Sequence, residues 1–148
     1  MRKEKVLIVE DEAVIAILVE EILNEVGLDD VLHISDGEKA KKEILTGKYD
    51  LILMDINLGS DISGVDIMSA AQSKGIKTPF IYISGNSDYK TITKAKHTSP
   101  IGFLVKPIKE VDLQIMIELL FFKQKEDALA ANKPINKLTE REKAVLNL

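Results

Sequence analysis

Leu51-Ile52-Leu53-Met54-Asp55, residues 51–55, sets an unbroken apolar run against a single carboxylate. A run this short, with no polar residue alternating through it, reads as a strand covered on both faces, the habit of a parallel sheet. The same kind of run recurs on either side: Val6-Leu7-Ile8-Val9 and Val31-Leu32-His33-Ile34 before it, Phe80-Ile81-Tyr82-Ile83 and Gly102-Phe103-Leu104-Val105 after it. Each is read as a strand buried on both faces. Between the runs the spacing turns helical. Val14, Leu18 and Ile22 repeat at i, i+4 and i+8; Ala40, Ile44 and Leu45 follow a Ser35-Asp36-Gly37 start; Val65, Met68 and Ala71 follow Gly64. A fourth helix, with the weakest pattern, falls between Ser87 and His97. Strands alternating with helices over short loops give right-handed βα units, and so an α/β fold: a doubly wound, five-stranded parallel sheet with helices on both faces. In such a sheet, binding groups gather beyond the carboxyl ends of the strands.

Composition narrows what those ends can do. At 148 residues, with 45% hydrophobic and 30% charged, the chain fits one main domain with a short appendage. Its 20 Lys+Arg against 24 Asp+Glu leave a formal net charge of -4, which excludes the broad positive field of an unaided nucleic-acid binder. Without cysteine there are no disulfides, thiolate metal sites or thiol nucleophiles, and His33 and His97 are the only nitrogen ligands, both read as packed or solvated side chains. The start, Met1-Arg2-Lys3-Glu4-Lys5, leads into too few apolar residues for a signal peptide or a membrane span, so a cytoplasmic location is expected.

The carboxyl ends of the runs supply Glu10 and Asp11 after the first, Asp55 after the third, Ser84 after the fourth and Lys106-Pro107 after the fifth. Carboxylates converging on one point repel unless a cation joins them, and an all-oxygen set suits Mg2+ rather than zinc. Magnesium in turn implies phosphate. Lys106 offers a positive charge and Ser84 a hydroxyl to phosphoryl oxygens on the side away from the metal. With no cysteine, and no base near Ser84, a carboxylate is the candidate nucleophile, and Asp55 is the central one. Asp11 alone would also serve as an N-cap for the first helix.

Four motifs in this order, Val6-Leu7-Ile8-Val9-Glu10-Asp11-Glu12, Leu53-Met54-Asp55-Ile56-Asn57, Ile83-Ser84-Gly85 and Gly102-Phe103-Leu104-Val105-Lys106-Pro107, resemble the receiver domain of two-component response regulators over about residues 5 to 124. The resemblance implies a flavodoxin-like strand order 2-1-3-4-5 and a phosphorylation switch that catalyses only its own phosphotransfer. Asp55 would accept a phosphoryl group from a phosphohistidine on a sensor histidine kinase or phosphotransfer protein. Asp11 would be the principal Mg2+ carboxylate, with Glu10, Asp55 and the backbone carbonyl of Asn57 beside it. Ser84 and Lys106 would hold the phosphoryl oxygens, Phe103 would be the aromatic switch coupled to Ser84, and Pro107 would follow a cis peptide bond. Two departures stand out: Leu58-Gly59-Ser60-Asp61-Ile62-Ser63-Gly64 has glycine where the family usually has proline and is one residue longer, and Phe103 replaces the usual tyrosine. Asn57 and Asn86 occupy the positions that tune hydrolysis of the acyl phosphate in this family.

Past Lys109 the chain reads as an extended C-terminal helix to about Ala131, with a linker, Asn132 to Lys137, after it. The expected organisation is a receiver at 1–124, a helix extension and linker at 125–137, and the start of an output domain at 138–148. Thr139 and Glu142 form a capping box there, and Leu138 to Leu148 resembles the opening of a LuxR-type helix-turn-helix output domain, so DNA binding would need residues this chain lacks. On the long helix, Leu113, Met116, Ile117 and Leu120 form one apolar stripe, and Val111, Ile115, Leu119 and Phe122 a second, read as a surface for a homodimer. A haloacid-dehalogenase-like Mg2+ phosphohydrolase would need a second carboxylate two residues after Asp55, where Asn57 stands; a flavin or nucleotide module would need a phosphate loop where Glu10-Asp11-Glu12 would repel phosphate.

Overall fold

The computed structural model describes residues 2–59, 61–85 and 88–131. Strands and helices alternate: β1 (Arg2–Val9), α1 (Ala13–Glu25), β2 (Leu28–Ile34), α2 (Gly37–Ile44), β3 (Leu51–Asp55), α3 (Gly64–Ser73), β4 (Phe80–Ser84), α4 (Tyr89–Lys96), β5 (Gly102–Val105) and α5 (Glu110–Ala131). The strands form one five-stranded parallel sheet in the order β2-β1-β3-β4-β5, as expected from the sequence. Asn86, Ser60 and the region from Asn132 to Leu148, which holds the linker and the helix-turn-helix resemblance, lie outside the described residues.

Side chains alternate across a strand, so each central strand feeds both faces of the sheet. Leu7 and Val9 of β1 and Ile52 and Met54 of β3 share one core cluster with Ala40 and Ile44 of α2 and Ile67 and Met68 of α3. Their neighbours Val6, Ile8, Leu51 and Leu53 are also fully buried, on the other face. Each such side chain contributes roughly 1.5–3 kcal/mol, which is why Val6–Val9 and Leu51–Met54 are unbroken apolar runs.

The outer strands differ from the sequence reading. Their apolar runs predict cover on both faces, but β2 and β5 are sheet edges, and Leu32 and Val105 are exposed. An apolar run records hydrophobicity, not the number of neighbouring strands. α1 forms where expected, yet it buries Ala16, Val19, Ile22 and Leu23, while Val14 and Leu18 of the expected stripe are exposed, Val14 at 79%.

The helix starts follow local chemistry. Asp36 accepts a hydrogen bond from Lys39 N at 2.9 Å, Asp88 from Thr91 N at 2.8 Å, and Ser63 and Asp66 form a reciprocal capping box at α3. α1 is the exception: Glu12, not Asp11, is its N-cap residue, and no side-chain cap bond is made.

The chain divides into two compact units, Met1–Met116 and Ile117–Leu148, with α5 running through the division. In the first, Leu113 is buried, and the Met116 side chain lies so close to Gly102 that a Cβ there would come within 3.1 Å of it. Val111 and Ile115 are exposed in the first unit, Leu119 and Phe122 in the second.

Candidate functional site

Register assembles the site. Val9 of β1 pairs with Met54 of β3, so Glu10 and Asp55 each stand one step further along neighbouring strands. Asp55 pairs with Ile83, and Ser84 with Val105, which puts Ser84 and then Lys106 one step beyond those pairs. Lys106 N donates to Ser84 O at 2.8 Å, and the Lys106-Pro107 peptide is cis.

Carboxylate oxygens of Glu10, Asp11 and Asp55 lie within 4.8 Å of one another, with Glu10 and Asp55 buried and Asp11 exposed. Lys106 Nζ reaches Glu10 Oε1 at 3.3 Å, Asp55 Oδ2 at 3.4 Å and Glu12 Oε1 at 3.2 Å. Backbone amides fix two of the carboxylates: Glu12 N donates to Glu10 Oε2 at 3.1 Å, and Asn57 N to Asp55 Oδ1 at 3.1 Å.

Close approach also shapes this mouth. A Cβ on Gly64 would fall 2.2 Å from the carbonyl oxygen of Asp55, so no side chain fits there. Gly59 has φ +70°, and a Cβ on it would lie 3.2 Å from Asp11 Oδ2. Its amide donates to Asn57 Oδ1 at 3.1 Å, which ties the β3–α3 loop back toward the acidic end of the sheet.

Burial pushes the Glu10 carboxyl up to about 8, and a proton shared with Asp55 adds to the rise. Burial likewise raises Asp55, against the opposing pull of that shared hydrogen bond and of the Lys106 charge. Burial alone would lower Lys106, but Asp55, Glu12 and Glu10 outweigh it and push the ammonium up to about 12. The converging carboxylates thus leave the site short of positive charge.

Glu10 Oε1 is buried with no hydrogen-bond partner; the ammonium at 3.3 Å is near enough for an ion pair but is not aligned for a hydrogen bond. An orphaned carboxylate oxygen within a compact all-oxygen set fits a hard divalent cation with oxygen preference, such as Mg2+.

Ser84 is buried at the end of β4. Phe103 packs on Tyr82 with ring centroids 5.7 Å apart. Tyr82 donates its hydroxyl proton to Thr98 Oγ1 at 2.6 Å, since that hydroxyl already donates to Ala95 O. Sequence reasoning missed two contacts. His33 Nε2 lies 2.7 Å from the Glu10 carbonyl oxygen, and because a carbonyl only accepts, Nε2 carries the proton. Glu12, read as part of an acidic cluster, is a partner of Lys106. A histidine closing β2 beside the acidic end of β1 was the available signal for the first.

Fold and site together define a doubly wound α/β protein with an acidic, lysine-bearing pocket at the carboxyl edge of its sheet. The response regulator receiver domain profile matches residues 6–118, and the chain belongs to that family. The transcriptional regulatory protein PdtaR of Mycobacterium tuberculosis is 31% identical over 150 residues, which cover 96% of this chain and 72% of PdtaR. The transcriptional regulatory protein DltR of Streptococcus agalactiae is 30% identical over 115 residues, 78% of this chain and 50% of DltR. Among solved structures, the signal receiver domain of a modulated diguanylate cyclase from Desulfovibrio desulfuricans G20 superposes with a TM-score of 0.72 at 33% identity, covering 84% of this chain and 98% of that one. Receiver domains of response regulators are signalling switches that generally bind Mg2+ at an acidic pocket, interact with histidine kinases and often dimerise. Among the described residues, no helix is long and apolar enough to cross a membrane.

Proposed function

We propose that this chain is a phosphorylation-dependent switch that accepts a phosphoryl group on Asp55 from a histidine kinase or phosphotransfer protein and controls a transcriptional output. The observation that carries this is a buried Asp55 with the Lys106 ammonium at 3.4 Å and two further carboxylates whose oxygens lie within 4.8 Å. Glu10, Asp11, Asp55 and the backbone carbonyl of Asn57 would hold Mg2+, whose chemistry here is to neutralise charge on the transferring group.

An Asp55 carboxylate oxygen forms the new O–P bond while the donor's N–P bond breaks and its imidazole leaves with the electron pair. Asn57 N, bonded to Oδ1, holds the Asp55 carboxylate in place for that attack. Lys106 meets the developing charge on the phosphoryl oxygens, and Ser84 donates its hydroxyl to one of them. Ser84 and Phe103 then carry the change toward the partner surface.

The transcriptional output is supported by PdtaR and DltR, both transcriptional regulatory proteins. In this reading residues 1–124 are the receiver, 125–137 a helix extension and linker, and 138–148 resemble the opening of a LuxR-type helix-turn-helix, a DNA-binding output. The exposed residues Val111, Ile115, Leu119 and Phe122 of α5 are the surface for a homodimer, and the protein works in the cytoplasm. The test is incubation with a small acyl phosphate and Mg2+, read by intact mass. The chain gains one phosphoryl group and Asp55→Asn gains none; full labelling of that variant elsewhere sinks the assignment.

A further inference from the structure

Lys106 has a third carboxylate partner outside the metal-binding set. Glu12 Oε1 stands 3.2 Å from Lys106 Nζ, at least as near as Glu10 at 3.3 Å or Asp55 at 3.4 Å. The oxygens that cluster for a cation are those of Glu10, Asp11 and Asp55, and Glu12 is not among them. Nor is Glu12 explained by helix capping, the ordinary reason for an acid at this position: it is the N-cap residue of α1, yet its side chain makes no cap bond. The ion pair to Lys106 is the contact that holds it.

An ammonium has three N–H donors, and here three carboxylates stand within reach of it. A phosphoryl oxygen drawing on Lys106 competes with the two carboxylates that already accept hydrogen bonds from it, Glu12 at 3.2 Å and Asp55 at 3.4 Å. The Asp55 side chain is 1% exposed, so parting it from the lysine strands a buried charge. Glu12 is 60% exposed and can be rehydrated at little cost. Glu12 is therefore the partner that yields.

We propose that Glu12 is a positioning residue that holds Lys106 at the mouth of the unphosphorylated site and competes with the incoming phosphoryl group for it. This rests on Asp55 and Lys106 acting as set out above. It makes Glu12 a brake on phosphorylation: with its carboxylate gone, Lys106 is left to Asp55 and the transferring group.

The test measures the rate of phosphorylation of the full chain against acetyl phosphate concentration in excess Mg2+, by intact mass. Glu12→Gln removes the charge; Glu12→Asp keeps the charge but is one methylene too short for the contact. Both are made alone and on Lys106→Ala, which is given longer incubations. Both are expected to raise the saturated rate about two- to fivefold, the range set by an exposed ion pair, and neither changes the rate on Lys106→Ala. Simple repulsion of the anionic donor gives another pattern: Glu12→Gln alone lowers the half-saturating concentration, Glu12→Asp behaves as the unmodified chain, and the effect survives without Lys106. That pattern, or an unchanged rate in Glu12→Gln, overturns the proposal while leaving Asp55 as acceptor. If the unmodified chain takes up no phosphoryl group, the reading of Asp55 falls, and this inference with it.

Discussion

β3 and β5 each bring a charged residue to the site, but they deliver it in different ways. β3 lies in the centre of the sheet between β1 and β4; all five of its residues are buried, and Asp55 sits on a backbone bonded from both sides. β5 is an edge with one neighbour, Val105 is 65% exposed, and Lys106 begins beyond it with a flexible stem. The proposed acceptor is held by strand pairing, whereas the ammonium is carried on a stem of rotatable bonds. The proposed switch would use both properties: in-line attack tolerates little displacement of the nucleophile, while the lysine would exchange a carboxylate partner for a phosphoryl oxygen.

The sharpest way to break this contrast is to remove the mobile partner. Lys106→Ala takes a cation from beside Glu10, Glu12 and Asp55 without touching an oxygen ligand. Mg2+ affinity by calorimetry should hold or rise, because the carboxylates repel more strongly without the ammonium. Phosphorylation should slow on the order of ten- to a hundredfold, the scale for losing one preorganised charge at a transition state. Weakened Mg2+ binding with a normal rate of phosphorylation would contradict the assignment.

Two glycines test the same contrast through stability. At Gly64 an added Cβ meets the Asp55 carbonyl oxygen at 2.2 Å and Met54 Cγ at 2.7 Å, both on the central strand. Gly64→Ala should cost about 1–3 kcal/mol, as overpacking does where the backbone cannot yield. At Gly85, near the edge, the nearest atom is Lys106 Cδ at 3.5 Å, which a flexible side chain can move, so Gly85→Ala should stay within about 0.5 kcal/mol. Urea unfolding of the two variants reads the difference, and equal losses would show that centre and edge are not mechanically distinct.

The same division explains what was legible in the sequence. β1, β3 and β4 announce themselves because burial on both faces demands an unbroken apolar run, and the polar residues that end those runs, Glu10, Asp55 and Ser84, are conspicuous for that reason. β2 and β5 carry runs nearly as apolar, and neither Val31-Leu32 nor Leu104-Val105 records that one side of the strand lacks a neighbour. Val14 and Leu18 misled in a related way: helical spacing shows that a face exists, not which face the sheet covers. At the site, Glu10, Asp11, Asp55, Ser84 and Lys106 could be named from strand ends alone. The Glu12–Lys106 pair spans 94 positions of sequence, and His33 meets Glu10 across the β1–β2 register, so both depend on alignments between strands that no local pattern encodes.

The smallest expected effect concerns the proton at the rigid centre. Glu10 has an ordinary value of 4.5 and is pushed up to about 8 in the folded chain by burial and by the proton it shares with Asp55. Between those two values the folded state therefore binds more proton than the unfolded state, and stability falls as pH rises through the window, levelling off above it. A tenfold difference in proton affinity between the two states corresponds to about 1.4 kcal/mol. The fall in stability is therefore expected between about pH 5 and pH 8.5 in chelator. Urea unfolding at the two pH values measures it, with Glu10→Gln as the control that keeps the side chain's shape but has no proton to lose. The slope attributable to Glu10 is the difference between the two proteins, which removes the contribution of every other titrating group they share. Identical pH dependence in both would mean that the centre of the site adjusts to charge as readily as its edge, and the contrast between β3 and β5 would lose its electrostatic half.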